Sequence, residues 1–193
     1  MRRRALLSGT GLLLAQGLLA RRGSGDEDVA VPVPLQMELL LKVATYDKNL
    51  PARAPEVVKL LLLVKPGSTN GSHVAQLAAR QLSGKALGGR ALEVTTQPYS
   101  DAATLAQKIK EQRLAIVYLA PGFEAAELSA IAKALSGLSV LSVGALSRFV
   151  QAGTVLGFDL ISGKPKLLIH QKRARDQGVE FSSQVLKLAK VIE

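Results

Sequence analysis

Short apolar runs alternate with segments of helical periodicity over most of the chain. The run from Val57 to Val64 reads VVKLLLLV, which is typical of a strand buried on both faces. Thr69 to Leu82 follows it, with apolar positions at the spacing of one helix face. Further strands are predicted over 91–96, 114–119 and 138–143, with helices that begin at Asp101 and Glu124. This alternation predicts a parallel sheet, because each crossover helix returns the chain for a strand of the same direction.

The chain before the first strand is predicted to contain a linker and one helix. Arg21 to Pro34 combines Gly, Ser, an acidic cluster and Val-Pro-Val-Pro, which is typical of an extended linker since proline fixes φ. Met37 to Asn49 is apolar nearly all round and predicts a mostly buried helix, which Pro51 prevents from continuing. The folded domain is therefore expected to begin near Leu35.

The C-terminal part of the chain predicts a hairpin followed by two helices. Thr154 to Ile161 and Lys166 to His170 both have strand patterns, and Ser162-Gly163 between them is a turn signal. A short polar helix then stops at Gly178. The last helix is predicted to have Ser182 as its N-cap and to run to Ile192 with one apolar face on the sheet.

These elements together predict a single α/β domain over residues 35–193. Its sheet is expected to be mixed and mostly parallel, with five or six strands, helices on both faces and a C-terminal antiparallel hairpin. A sheet with all of its helices on one side is the alternative architecture. The length of 193 residues, with 48% hydrophobic and 21% charged residues, suits one globular domain with a sizeable core.

The first 20 residues have the pattern of a signal peptide. Arginines at positions 2 to 4 precede an apolar stretch from Ala5 to Leu14, and small residues follow at Ala15 and Gly17. The apolar stretch is shorter than the ~20 residues that a membrane-spanning helix needs, which disfavours the alternative of an uncleaved anchor. We therefore expect a periplasmic or secreted protein without stable membrane insertion after processing.

The charge and the residue types of the chain limit the functions that it is expected to have. The net charge of +10 would fall to +7 without the three leading arginines, and an exported chain with 4% aromatic residues is not expected to bind nucleic acid. The basic run from Lys172 to Arg175 is interpreted as a solvated helix face. There is no cysteine, no G-x-S-x-G motif, and neither His73 nor His170 has a carboxylate at ligand spacing. No catalytic residue, cofactor or metal is predicted.

The C-terminal pattern also resembles a known family. Over residues 153–191 the order of packing and capping positions resembles the close of the YfiR-like (YfiR/HmsC) family of periplasmic regulators. The matching positions are Gly153, Phe158, Ile169, Ala174, Gly178, Val179, Phe181, Ser182, Ser183, Leu186, Leu188 and Ala189.

This resemblance implies a non-enzymatic regulator that acts by binding another protein. YfiR-like proteins hold a membrane-bound diguanylate cyclase inactive through its periplasmic domain, and thereby influence c-di-GMP signalling and biofilm formation. The implied partner is therefore a membrane-bound signalling protein, and a homodimer is a candidate assembly. Tyr46, Asp47 and Asn49 are the candidate partner-binding residues, because family members have an aromatic-rich segment closing on Trp-Pro here. Tyr46 and Pro51 correspond to that segment, and its tryptophan is missing. The alternative is that Tyr46 packs on the sheet edge while Asp47 and Asn49 make turn hydrogen bonds.

The loop after the first strand indicates a second candidate function. Residues 65–72 read KPGSTNGS and join a buried strand to a helix, a place where backbone N–H groups can bind an anion. Ser68, Thr69 and Asn70 are the candidate anion-binding residues. The alternative function is therefore a small-molecule or anion-binding protein of the solute-binding type, although the loop lacks the residues of a P-loop.

Overall fold

The computed structural model describes residues 29–193 of the chain. Its helices are α1 (Val33–Ala44), α2 (Leu50–Arg53), α3 (Thr69–Leu82), α4 (Ala102–Gln112), α5 (Ala125–Leu135), α6 (Ser147–Ala152), α7 (Gln171–Asp176) and α8 (Ser183–Leu188). Its strands are β1 (Val57–Val64), β2 (Ala86–Leu87), β3 (Arg90–Pro98), β4 (Ile116–Leu119), β5 (Leu141–Gly144), β6 (Leu156–Ile161), β7 (Lys164–His170) and β8 (Lys190–Ile192). The predicted signal peptide and most of the predicted linker lie outside the described residues.

The strands form one mixed sheet in the order β2-β3-β1-β4-β5-β6-β7-β8. The central strands β3, β1, β4, β5 and β6 are parallel, whereas β6 and β7 form the antiparallel hairpin. The predicted α/β class, the parallel arrangement of the first four long strands and the C-terminal hairpin are thus confirmed. The sheet has eight strands rather than five or six.

Helices cover both faces of this sheet, as predicted, and a one-sided arrangement is excluded. Alternate residues of β1 point to opposite faces, as the pleat of a strand requires. Leu60 and Leu62 pack with α1 and α3, and Leu61 and Leu63 pack with α4, α5 and α6. All four leucines are buried, so the VVKLLLLV run is the doubly covered strand that its composition indicates.

The N-terminal helix begins earlier and ends earlier than predicted. It starts at Val33 with Pro34 in its first turn, where a missing N–H costs no hydrogen bond. Val31 and Val33 are already buried, so part of the predicted linker belongs to the core. The helix stops at Ala44, and α2 begins as a separate turn beyond it.

Three elements at the sheet ends and loops escaped the sequence prediction. The short strand β2 pairs with β3 across Gly88-Gly89, and α6 is a single helical segment between β5 and β6. The predicted last helix ends at Leu188 instead of continuing to Ile192. Lys190–Ile192 forms β8, which pairs in parallel with β7 and thereby satisfies backbone groups along that edge. Ser182 occupies the predicted N-cap position, but its side chain makes no capping hydrogen bond.

Candidate functional site

Asp47 is the buried centre of the segment that joins α1 to α2. Its side chain is 0% exposed, and its Oδ2 atom accepts a 2.7 Å hydrogen bond from Nη1 of Arg53 within an ion pair. The Oδ1 atom accepts from the backbone N–H groups of Asn49 at 3.1 Å and Glu180 at 2.9 Å. The carboxylate is therefore held by three donors, two from residues 49–53 and one from the distant C-terminal segment.

The partners of Asp47 connect this segment to residues 178–182. Nη2 of Arg53 and Nδ2 of Asn49 both donate to the carbonyl oxygen of Gly178, at 2.9 and 3.0 Å. Two backbone hydrogen bonds run alongside, from Lys48 to Glu180 and from Ser182 to Tyr46. Asp47 and the Asn49 amide thus fasten the first helix to the C-terminal segment, and of the three candidate partner-binding residues Tyr46 presents the ring to solvent.

Tyr46 lies at the rim of an apolar groove, which we call the Tyr46 groove. Its volume is about 620 Å³, and its lining residues are Leu39, Leu41, Lys42, Val43, Thr45, Tyr46, Leu167, Gln184, Val185 and Leu188. Tyr46 is 45% exposed and Leu188 is 68% exposed. Two large side chains that line the same groove therefore face solvent. The groove lies where α1, β7 and α8 meet. Leu188 escaped the sequence prediction because the helix was expected to bury it.

The candidate anion loop is closed by contacts within the protein. Ser68 is the N-cap of α3, and its Oγ atom accepts a 2.9 Å hydrogen bond from the Gly71 N–H. The same hydroxyl donates to the carbonyl oxygen of Pro121 at 3.2 Å. Gly71 lies so close that a Cβ atom there would be 2.3 Å from that oxygen. The loops after β1 and β4 therefore touch directly.

This contact lies where a parallel sheet of this topology usually holds ligands. The chain passes from β1 to β3 on one side and returns to β4 on the other, so the carboxyl ends of β1 and β4 flank the switch point. Lys65 forms an ion pair there with Glu127, which also caps α5. Thr69 stays exposed at the surface. Anion binding by Ser68, Thr69 and Asn70 stays a prediction.

A buried polar network that the sequence did not reveal ties the N-terminal segment to the sheet. The hydroxyl of Tyr118, on β4, donates to Oε1 of Gln36 at 2.8 Å. Nε2 of Gln36 donates to the carbonyl oxygens of Val31 at 2.8 Å and Ala145 at 3.2 Å. Burial raises the pKa of Tyr118 far above its ordinary value, so the phenol stays protonated and keeps donating.

No metal-binding cluster of side chains is present in the described part of the chain. Within residues 29–193, no three His, Cys, Asp or Glu side chains are placed to hold one metal ion. Asp101 caps α4 by accepting from the Thr104 N–H, and Glu124 and Glu127 form the capping box of α5. These carboxylates therefore act on helix ends. In the same residues no helix is long and apolar enough to cross a bilayer.

His170, at the end of β7, is nearly buried and its Nδ1 atom has no hydrogen-bond partner. Burial lowers the pKa of its imidazole, and the positive charges of Arg173 and Lys172 lower it further against the opposing effect of Asp176. The folded protein therefore holds this ring neutral at a pH where the unfolded chain, with an ordinary pKa of about 6.5, already binds a proton.

We expect the His170→Asn variant to lose stability less steeply than the wild type on acidification. A lowered folded-state pKa means that the unfolded state binds more protons as the pH falls below about 6.5, so His170 costs stability there. Urea unfolding between pH 7.5 and pH 5 measures this slope. His73→Asn, at the exposed histidine of α3, is the matched control. Equal slopes for the wild type and His170→Asn would contradict the assignment.

The fold defines an α/β protein with a doubly covered, mostly parallel sheet and a hairpin at one side. The chain belongs to the YfiR/HmsC-like family, whose sequence profile matches residues 34–190. The match extends the C-terminal resemblance to almost the whole described domain. Family membership supports a periplasmic regulatory role.

Solved structures of low sequence identity share this fold. The "ABC domain" of a Streptococcus pneumonia protein in complex with L-Trp is 14% identical with a TM-score of 0.56, over 83% of this chain and 62% of that one. An open, ligand-free substrate-binding protein with adhesive properties from Clostridium difficile is 13% identical with a TM-score of 0.55, over 76% and 58%. A conserved domain protein from Vibrio cholerae is 20% identical with a TM-score of 0.50, over 84% and 60%.

These likenesses concern the fold, since all three identities are 20% or lower. The chain spans about three fifths of the length of each matched structure. No curated protein matches the sequence. The family match is therefore the comparison that bears on function.

Proposed function

We propose that this protein is a periplasmic regulator that binds the periplasmic domain of a membrane-bound diguanylate cyclase and holds the cyclase inactive. Through that partner it would lower c-di-GMP and affect biofilm formation. Membership of the YfiR/HmsC-like family supports the regulatory role. The observation that carries the proposal is the Tyr46 groove, an exposed apolar surface of the kind that protein partners cover.

The groove has the properties of a protein-binding surface. Tyr46 and Leu188 expose 45% and 68% of their surface, although large apolar side chains usually gain free energy from burial. A tyrosine at the rim supplies both an aromatic surface and a hydroxyl group, a combination enriched at interfaces. The lining from β7 and α8 is held in place by the sheet, so little ordering is required on binding.

The charge around the groove indicates an acidic partner surface. Residues 164–193 contain seven Lys and Arg side chains and three Asp and Glu side chains. Lys187 and Lys190 are exposed on α8 and β8, beside Leu188, and Lys42 lines the groove itself. Acidic groups on the partner would be attracted to this region and would orient it before apolar contact.

A charged substitution in the groove tests this proposal. We expect Leu188→Glu to weaken binding to the periplasmic domain of the cyclase by about a hundredfold, because an isolated carboxylate would be buried against apolar groups. Isothermal titration calorimetry with the two purified domains measures the affinity. Co-expression with the full-length cyclase should show c-di-GMP restored to the level found without the regulator.

Leu160→Glu is the matched control, because Leu160 is also exposed, at 41%, but lies on the β6–β7 hairpin. It should leave the affinity unchanged. Equal loss in both variants would contradict the groove assignment, and no binding by the wild type would contradict the cyclase proposal.

Light scattering of the isolated protein tests the homodimer. A dimer abolished by Leu188→Glu would assign the groove to a second copy instead.

Anion or small-molecule binding at Ser68, Thr69 and Asn70 is the second candidate function. It is supported by the position of this loop at the carboxyl ends of the strands and by the substrate-binding protein among the fold matches. The close contact of Gly71 with Pro121 speaks against it, because the protein itself fills the space between the two loops. The regulator is therefore the function that we favour.

A further inference from the structure

Four buried polar atoms near the start of β6 have no hydrogen-bond partner. They are Oγ1 of Thr154, Nδ1 of His170, Nε of Arg173 and Nε2 of Gln177. Gln177 is 0% exposed and Thr154 is 4% exposed. Buried polar atoms without a partner are rare in folded proteins, because each costs the free energy of its lost hydration. Four of them in one region indicate an occupant that supplies the missing hydrogen bonds.

Backbone and side-chain contacts place the four residues that carry these atoms around residues 153–155. Thr154 belongs to this segment, and the backbone N–H of His170 donates to the Val155 carbonyl oxygen at 2.9 Å. Nε of Arg173 lies 3.3 Å from the position that a Cβ atom on Gly153 would occupy.

Gln177 reaches the same segment through β5. Its Oε1 atom accepts from the Ser142 N–H at 3.3 Å, and Oγ of Ser142 accepts from the Val155 N–H at 3.0 Å. The amide oxygen of Gln177 is therefore engaged, which leaves its Nε2 atom as the unpartnered donor.

The chemistry of the four atoms indicates a ligand that accepts hydrogen bonds. Nε of Arg173 and Nε2 of Gln177 can only donate, and the Thr154 hydroxyl and the His170 imidazole can each donate one hydrogen. Asp176 lies 3.7 Å from Nη1 of Arg173 and so offsets part of the guanidinium charge without satisfying Nε. An acceptor with negative charge would complete this set.

We propose that Thr154, His170, Arg173 and Gln177 form a binding site for a small monovalent anion of the size of chloride or formate. Close packing limits the size of the ligand. A Cβ atom on Gly144 would lie 2.5 Å from Cβ of Phe149, and one on Gly153 would lie 2.6 Å from Cβ of Ala132. The partly exposed side chain of Arg173 provides the side from which the anion enters.

This site is separate from the Tyr46 groove, and its proposal does not depend on the cyclase. It lies under α7, the helix that follows the hairpin strand β7. Binding there would stabilise the packing of α7 against residues 153–155 by linkage, since the anion binds the folded chain and the unfolded chain lacks the site.

The test is the melting temperature of the full chain in sodium chloride and in sodium formate, with ionic strength held constant by sodium gluconate. We expect a saturable rise for the wild type. Arg173→Gln and the nearly isosteric Thr154→Val should each raise the half-saturating concentration by about tenfold or more, because a charge-assisted or buried hydrogen bond is lost. Circular dichroism checks that both variants fold.

Arg175→Gln is the matched control, because Arg175 carries the same charge on the same helix but is exposed. It should keep the wild-type half-saturation. A crystal soaked in bromide should show an anomalous peak within hydrogen-bonding distance of Thr154 Oγ1 and Arg173 Nε. An unsaturable wild-type response, ordered water at these atoms in bromide, or equal effects of Arg173→Gln and Arg175→Gln would each overturn the proposal.

Discussion

Replacing Asp47 with alanine is expected to lower the free energy of unfolding by about 3 to 5 kcal/mol, because it leaves the Arg53 guanidinium buried without its counter-ion. The side chain of Arg53 is 3% exposed and that of Asp47 is 0% exposed, so water cannot replace the lost carboxylate. The backbone N–H groups of Asn49 and Glu180 lose their acceptor in the same step. Urea denaturation of the purified variant measures the change.

Glu180→Ala is the control for this result. Glu180 forms an ion pair with Lys48 at 2.6 Å in the same region, but both side chains are about 60% exposed. An exposed pair contributes at most about 1 kcal/mol, so this variant should stay within that range of the wild type. If both variants lost the same free energy, the burial of the Asp47 pair would not be the cause of its effect.

Replacing Gly71 with alanine is expected to lower the free energy of unfolding by about 2 to 3 kcal/mol. The new Cβ atom would lie 2.3 Å from the Pro121 carbonyl oxygen and 2.8 Å from Oγ of Ser68. A backbone atom cannot rotate out of the way, so the loops after β1 and β4 would have to separate. This cost exceeds the gain of about 1 kcal/mol that alanine brings to a helix relative to glycine.

Ser72→Ala, at the next position of α3, is the matched control for the glycine substitution. Ser72 is exposed, and its hydroxyl donates to the Ser68 carbonyl oxygen within the helix. Its replacement should change the stability by no more than about 0.5 kcal/mol. Thermal and urea unfolding of both variants give the comparison. A stable Gly71→Ala protein would show that the two loops can move apart, and would reopen the space between them to a ligand.

The local pattern of hydrophobic residues was sufficient to predict the strands of the central sheet. The run at Val57–Val64 is apolar on both faces, and only a strand covered by helices on both sides can bury it. The pattern failed at residues 189–192, where alanine, valine and isoleucine suit a helix face as well as an edge strand. Residues 190–192 form β8 because they pair with the edge of β7 that the hairpin leaves unpaired. That edge exists only after the hairpin has joined the sheet.

The candidate partner-binding residues also differ in what the sequence predicted and what the tertiary structure decided. Proximity in sequence put Tyr46, Asp47 and Asn49 together, but their environments differ because residues 178–182 return to this point from about 130 positions away. Asp47 receives the Glu180 N–H and is buried, while Tyr46 projects beside Leu188 into solvent.

The sequence by itself determined the α/β class, the buried central strands and the hairpin turn, because these depend on hydrophobic period and turn residues within single segments. The resemblance to the regulator family also came from the sequence, through the order of packing and capping residues over 153–191. Tertiary structure alone decided which polar groups are buried and which apolar groups stay exposed. The Tyr46 groove, the Asp47–Arg53 pair and the unpartnered atoms around Thr154 all join segments that are distant in the chain. Burial is a property of that juxtaposition, and no local pattern of residues encodes it.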